Sequence, residues 1–348
     1  MTEQPFDLPL DEALLGEGIG KDHHLARIDT GVWDAVFQLF VPKDWTMETN
    51  LGERLDAPLR PVPLGLFLAP GKDGSALISV AGYRMNMEVS LEDWVNHALA
   101  QYDVIPFGGR WVNTPRGLCY DAGAVQKKPG GRYFCRVTAF AFGGIIYIVT
   151  SQCLEALWPQ LKNSFLAANL SFEIMGANSE FHRNLEPWKV WTTAPGAGTG
   201  TMYPGMWLAE SVPTRSGVVK AADFKLANAA GDQLVAYLRL KFESGSAAEA
   251  LDQVVKKLNG TGFEITRDTL VKCTPDSYSL LFPGNEGMWV AKIIRDNEPG
   301  EIRVGMRRLA SALAVVVLIS PAQSQQPVLW MRAKRAFEII LNHSRFEP

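Results

Sequence analysis

The sequence predicts an α+β protein made of two tandem copies of one unit, each an antiparallel sheet that carries helices. Three observations support this prediction: the length, a proline–tryptophan motif that occurs twice, and the same order of segments after each motif. The chain has 348 residues, of which 47% are hydrophobic and 20% charged. It therefore has enough apolar side chains to bury two cores of ordinary domain size.

The proline–tryptophan motif marks the beginning of each copy. An apolar residue precedes a proline, and a tryptophan follows three residues after that proline, at Pro42 and Trp45 and again at Pro204 and Trp207. We expect both tryptophans to anchor a core, because tryptophan brings a large apolar area into an interior.

A hairpin and then a helix follow the motif in both copies. Glycine-containing turns between apolar runs predict hairpins over 65–80 and 223–238. Ser90, with an aspartate three residues later, has the form of a capping box and predicts a helix over 90–102. A serine also begins the matching helix at 246–259, which ends in Asn-Gly.

Further strands and a closing helix complete each copy. The strands are predicted at 109–113, 118–125, 132–140 and 144–151, and at 263–268, 278–282, 288–295 and 302–319 with a break near Ala312. The closing helices are predicted at 154–168 and 328–341. The domain organisation that follows is a leader over 1–30, a first copy over 31–176, a linker over 177–199 and a second copy over 200–348. Because hairpins are antiparallel, this order of elements favours the α+β class.

Charge and cysteine content limit the possible partners and location. The net charge is −3 and the sequence pI is about 6.0, so nothing favours nucleic acid as a partner. The most apolar run, 309–319, is much shorter than the ~20 residues that cross a bilayer, and the first residues do not resemble a secretory signal. The four cysteines have no paired spacing, which is typical of free thiols in a reducing compartment. We expect a cytoplasmic protein that does not insert into membranes.

No sequence motif indicates catalysis, a metal or a cofactor. A Gly-x-Ser-x-Gly elbow, a Walker Gly-Lys-Ser/Thr and an HExxH spacing are all absent from the sequence. His23 and His24 are adjacent, without further ligands at a metal-binding spacing, and we expect them in a solvated leader. The sequence therefore favours a non-enzymatic protein with no catalytic residues, no metal and no cofactor.

The order of elements and the Pro-x-x-Trp motif resemble the PsbP-like superfamily, which includes bacterial DcrB-type proteins. Within that group the Eag chaperones of type VI secretion are similar in layout, and they shelter the apolar N-terminal helices of an effector as dimers. The resemblance implies a chaperone or adaptor that shelters an apolar or amphipathic helix of a protein client. It also implies that the tandem copies form a pseudo-dimer within one chain.

Alternation along one strand of each copy predicts the residues that contact the client. In the second copy Leu234, Ala236, Leu238 and Leu240 share one face and are expected to meet a covering helix. The opposite, mixed face, with its matching positions in the first copy, is expected to be open; it comprises Val235, Tyr237, Arg239 and Lys241, and Ile78, Val80, Gly82 and Arg84.

Two other functions remain open at this stage. An immunity or inhibitor protein would bind a toxin through a rigid, charge-complementary surface. A small-molecule carrier would need convergent polar groups in an apolar cavity, which we would expect between the two copies.

Overall fold

The structure is a computed structural model. It describes residues 8, 19–33, 35–48, 51, 57–71, 75–114, 117–175, 187–194, 197–213, 219–227, 231, 233–273, 284–295 and 297–347. The helices are α1 (Ile19–Asp22), α2 (Leu91–Ala100), α3 (Trp158–Leu170), α4 (Ala247–Asn259) and α5 (Pro327–His343).

Strands make up most of the remaining described chain. Those before residue 176 are β1 (His23–Asp29), β2 (Val36–Pro42), β3 (Thr46–Met47), β4 (Pro61–Leu68), β5 (Ala76–Arg84), β6 (Val104–Thr114), β7 (Gly117–Lys128), β8 (Gly131–Phe142), β9 (Ile145–Leu154) and β10 (Glu173–Met175). The later strands are β11 (Trp188–Thr192), β12 (Gly200–Pro204), β13 (Leu208–Pro213), β14 (Val219–Ala227), β15 (Leu234–Glu243), β16 (Val271–Lys272), β17 (Asn285–Arg295), β18 (Glu298–Arg308) and β19 (Leu313–Pro321).

The chain divides into two compact units with the same sheet order. Unit 1 is Met1–Asn86 with Ser90–Leu185, and unit 2 is Met87–Val89 with Glu186–Pro348. Unit 1 has a seven-stranded sheet in the order β3-β4-β5-β9-β8-β7-β6, and unit 2 has one in the order β13-β14-β15-β19-β18-β17-β16. All the paired neighbours are antiparallel. The second order is the first with every strand label raised by ten, which confirms the predicted α+β class with two similar units.

Each unit also has a smaller sheet formed with the chain that follows its closing helix. In unit 1, β2 pairs with β1 and with β10, which comes after α3. In unit 2, β12 pairs with β11, and Gly200 of β12 bridges to Arg345, which comes after α5. His23 and His24 lie in β1, so residues 23–29 of the predicted leader belong to a sheet; His23 is half-buried there and His24 is exposed.

The proline–tryptophan motif forms the same turn in both units. The backbone N–H of Trp45 donates to the carbonyl of Pro42, and that of Trp207 donates to Pro204, each at 3.1 Å. Both tryptophans are buried. Trp45 meets Phe165 of α3 edge to face, so this turn fixes the chain against the closing helix of unit 1.

The helices α2 and α4 each begin at the predicted serine. The Ser90 hydroxyl accepts a hydrogen bond from the N–H of Asp93, and Ser246 forms a complete capping box with Glu249. These bonds satisfy N–H groups that a helix leaves free at its start. The predicted ends hold within a few residues, since α2 stops at Ala100 and α4 at Asn259.

Two helices cover the opposite faces of each large sheet. In unit 1, α3 packs on the face that carries Val80 and Val149, while α2 packs over β6, β7 and β8. In unit 2, Phe337 and other residues of α5 cover the face of Leu238, while α4 lies over the other face through Leu251. The apolar stripe of each helix supplies this contact.

Two predicted elements of the second copy have a different outcome. Residues 263–268 form no strand, because the side chain of Asn259 holds both the N–H and the carbonyl of Ile265 at the end of α4. The predicted strand at 278–282 lies outside the described residues. In the predicted linker, residues 188–192 form β11, and Trp191 is buried in the core of unit 2.

Candidate functional site: an apolar groove with a charged rim in unit 2

A groove of about 560 Å³ lies on the face of the unit 2 sheet that α4 covers only in part. Its floor comes from β19, where Val315, Val317 and Ile319 alternate with residues that face α5. One wall is α4, with Val254 and Leu258 one turn apart on the same side of the helix. The remaining lining residues are Leu234, Tyr237, Arg239, Lys241, Glu243, Gln253, Lys257, Thr261 and Phe263.

The alternation of β15 places three predicted contact residues in this groove. Tyr237, Arg239 and Lys241 line it, whereas Leu238 and Leu240 between them are fully buried against α5. The structure therefore puts these three side chains on the face that the sequence pattern predicts to be open.

Val235 and Leu234 exchange the predicted faces. Val235 packs against the α5-side core and Leu234 lines the groove, 42% exposed. The cause is a register shift in the β14–β15 ladder, in which Leu226 pairs with Ala236 but Ala227 pairs with Leu234. One strand has an extra residue at this irregularity, so the side-chain alternation reverses there.

An ion pair fixes the polar side of the groove. Arg239 donates from Nε to Oδ1 of Asp223 and from Nη2 to Oδ2, both at 2.6 Å. The hydroxyl of Tyr237 donates to the same Oδ1 at 2.7 Å. Asp223 and Arg239 face each other across the β14–β15 ladder, so the backbone register sets this geometry.

These contacts hold the three groups in fixed protonation states near neutral pH. Burial alone would raise the pKa of Asp223, but the hydrogen bonds from Arg239 and Tyr237 outweigh it and lower that pKa. Burial and the bond to Asp223 raise the pKa of the Tyr237 hydroxyl. Asp223 is thus ionised and accepts the hydrogen bond that the neutral hydroxyl of Tyr237 donates.

Two lysines complete the charged rim. Lys241 pairs with Glu243, two residues further along β15. Lys257, on α4, stands at the mouth of the groove next to Leu258, and it makes no ion pair within the described part of the chain. Partial burial, followed by the charge of Arg239, lowers the pKa of Lys257.

The predicted contact residues of unit 1 lie on the covered face, which corrects the sequence prediction. Ile78 and Val80 are buried in the core beneath α3. Gly82 shares their face, since a Cβ there would lie 2.5 Å from the ring of Trp33, and so does Arg84, which pairs with the buried Ile145. The residues of β5 that match the groove face are the odd-numbered ones between them. The prediction matched the wrong residues of β5 to the open face of β15. The residue types could not prevent this error, because an apolar side chain suits either face of a sheet that is covered on both sides.

The second face of unit 1 is filled at the position where α2 begins. Trp94 is 1% exposed and meets Tyr83 edge to face at a ring separation of 5.5 Å. It is the fourth residue after the N-cap Ser90; the fourth residue after the N-cap Ser246 of α4 is Ala250. Unit 2 therefore has the smallest apolar side chain where unit 1 inserts its largest.

A polar network that was not predicted lies beneath α3. Asp121 and Arg136 are fully buried and paired, with Arg136 donating from Nε at 2.9 Å and from Nη2 at 2.8 Å. Thr138 and Arg110 also donate to Asp121, and Asn169 of α3 donates to Thr138. The signal in the sequence was an acid in β7 and a base in β8, each standing between two hydrophobic residues.

The thiols show no sign of activation. Burial raises the pKa of Cys119, Cys135 and Cys153 to about 12 and also raises that of Cys273. All four are free. Among the described residues, no three potential ligands lie close enough together to hold a metal ion, and no helix there is long and apolar enough to span a membrane.

Comparisons with known proteins give distant structural similarities. No family model and no curated protein matches the chain. Cyanobacterial PsbP (CyanoP) from Synechocystis sp. PCC 6803 is 15% identical over 43% of this chain and 92% of its own, with a TM-score of 0.33. LpqN of Mycobacterium tuberculosis, involved in cell envelope biogenesis, is 14% identical over 46% and 96%, with a TM-score of 0.32. The type VI secretion immunity protein TplEi of Pseudomonas aeruginosa is 10% identical over 90% and 96%, with a TM-score of 0.21. The assignment of the α+β fold rests on the strand order of this chain.

Proposed function

We propose that this chain is a protein-binding module that acts without catalysis and that its unit 2 groove receives the apolar side of an amphipathic helix from a partner. The observation that carries the proposal is the groove itself, an apolar floor and wall with a fixed charged rim. Groove recognition of this kind uses a few apolar anchors on one helix face.

The dimensions of the floor suit a short helix. Val315 and Ile319 are four residues apart on a strand, which corresponds to roughly 13 Å at ~3.3 Å per residue. A helix rises ~1.5 Å per residue, so anchors at positions i, i+4 and i+8 span about 12 Å. Burying two leucine-sized anchors would contribute roughly 3–6 kcal/mol before the cost of association.

The state of the groove's polar groups favours binding over chemistry. A general base must be free to accept a proton, but Asp223 is held by Arg239 and Tyr237 and has a lowered pKa. The described lining contains neither cysteine nor serine, and the described thiols are neutral at physiological pH. These groups instead form a preorganised polar edge for a ligand.

Three roles are compatible with such a groove. A chaperone or adaptor for an effector of type VI secretion is our first candidate, because an apolar groove suits a client segment that must be kept from water. An immunity protein that binds a toxin is the second, and the rigid ion pairs of the rim favour it. A small-molecule carrier is a third, since the volume falls in the ~300–1,000 Å³ range of ligand pockets.

Co-expression with the genes that flank its own, followed by pulldown, tests the proposal. The full chain should retain a partner protein, and Val254→Asp should lose it because a carboxylate would replace an apolar wall. The matched control is Val271→Asp, which makes the same change at a position 68% exposed and outside the groove. Retention by Val254→Asp would contradict the proposed site, and a co-purified metabolite in native mass spectra with no protein partner would support the carrier instead. An effector as partner indicates the chaperone role, and a toxin whose activity falls on binding indicates immunity.

A further inference from the structure

A positive charge at the mouth of the groove is not balanced by a carboxylate. Of the three cations in the lining, Arg239 pairs with Asp223 and Lys241 pairs with Glu243. Within the described chain, no acid pairs with Lys257. Its ammonium therefore loses some hydration to the groove, while Asp223 and Glu243, each paired with another cation, attract it only without direct contact.

The position of Lys257 ties that charge to the apolar wall. It is three residues after Val254 and next to Leu258, so the three side chains share one side of α4. Its aliphatic stem can lie along that wall while the ammonium reaches solvent at the mouth. A ligand that inserts apolar side chains against the wall must bring its own flanking residues close to this ammonium.

We infer that the docked helix carries a glutamate or aspartate at the edge of its apolar stripe and that Lys257 binds this carboxylate. The inference rests on the proposed function and names the chemistry of the partner: an acidic amphipathic helix. The carboxylate supplies the direct ion pair that Lys257 lacks in the described chain and fixes the orientation of the helix, because only one edge of the stripe meets α4. Electrostatic complementarity of this kind determines specificity more than affinity.

The test uses two synthetic helical peptides of about 18 residues, or five turns, with a leucine stripe. They are identical except for one residue at the edge of the stripe, which is Glu in one and Gln in the other. Fluorescence anisotropy measures the Kd of each for the full chain. The Glu peptide should bind about fivefold more tightly, and added salt should reduce this ratio.

Substitutions of Lys257 test whether this lysine causes the preference for the Glu peptide. Lys257→Gln should bind both peptides equally, and Lys257→Glu should prefer the Gln peptide. Lys256→Gln, which removes an exposed charge one residue away and outside the lining, should keep the full preference. Circular dichroism and the unfolding temperature establish that each variant is folded.

The outcomes separate this inference from the function on which it rests. If both peptides bind equally to the unmodified chain and Val254→Asp abolishes both, the groove binds helices but Lys257 selects no acid. If the preference survives Lys257→Gln, another residue reads the charge and the inference is wrong. If neither peptide binds while dodecanoate does, the groove takes a free aliphatic acid, and both the inference and the helix-binding proposal fail.

Discussion

The buried ion pair of unit 1 offers a sharp test of the fold. Replacing Asp121 by Asn keeps the shape of the side chain but removes the charge that compensates Arg136, and neither residue has exposed surface. Burial already lowers the pKa of Arg136, against the opposing effect of Asp121. Breaking a buried pair from one side costs about 3–5 kcal/mol, so we expect a loss of this size in the free energy of unfolding of unit 1.

A partly exposed pair in unit 2 provides the matched control. In the Asp223–Arg239 pair the two side chains retain 13% and 25% of their exposure, so water can solvate the guanidinium if Asp223 becomes Asn. We expect that variant to lose only about 1 kcal/mol. Urea unfolding measures both losses, and hydrogen exchange of peptides from β7–β8 and from β14–β15 assigns each to its unit. Equal losses for Asp121→Asn and Asp223→Asn would refute the reasoning that burial sets the cost.

Two further predictions concern the helix of unit 1 and the first strand. Trp94→Ala should lower the stability of unit 1 by about 3–5 kcal/mol in urea unfolding, because it leaves a cavity against Tyr83; a loss below 1 kcal/mol would show that α2 is not anchored there. Burial, partly opposed by Asp22, lowers the pKa of His23 below its ordinary 6.5, so its neutral form is the one that the fold favours. Stability should therefore be complete above pH 6.5 and decline as the pH falls below it, and His23→Gln should reduce this decline in unfolding measured across pH. An unchanged pH profile in that variant would exclude His23 as a source.

The sequence was informative where local chemistry determines structure. The N-caps Ser90 and Ser246 depend on contacts within a few residues, and both were predicted. The tryptophans of the repeated motif were predicted as core anchors, whereas the turn at Pro42 and Pro204 was not predicted. The mixed face of Arg239 was also predictable, since one strand with charges on alternate residues can bury only its other side.

The errors arose where partners distant in sequence decide the outcome. Ile78 and Val80 are apolar and suit either face of a doubly covered sheet, so only pairing with β9 and packing against α3 reveal their side. The exchange of Leu234 and Val235 depends on one extra residue in a ladder, which no local pattern indicates. The Asp121–Arg136 pair could not be predicted from either strand alone, because Asp121 lies in β7 and Arg136 in β8 and only the pairing of the two strands brings them together.

The two similar units differ in how the second face of the large sheet is filled. A large sheet has two apolar faces, and in both units the closing helix seals one of them with aromatic side chains such as Phe165 and Phe337. Unit 1 buries Trp94 on the second face. Unit 2 has Ala250 at the matching turn and a groove beside the same helix, so its second face is less completely filled. Since an unfilled apolar face costs stability in a protein that binds nothing, this difference between the units supports the proposal that a partner completes the burial of the groove.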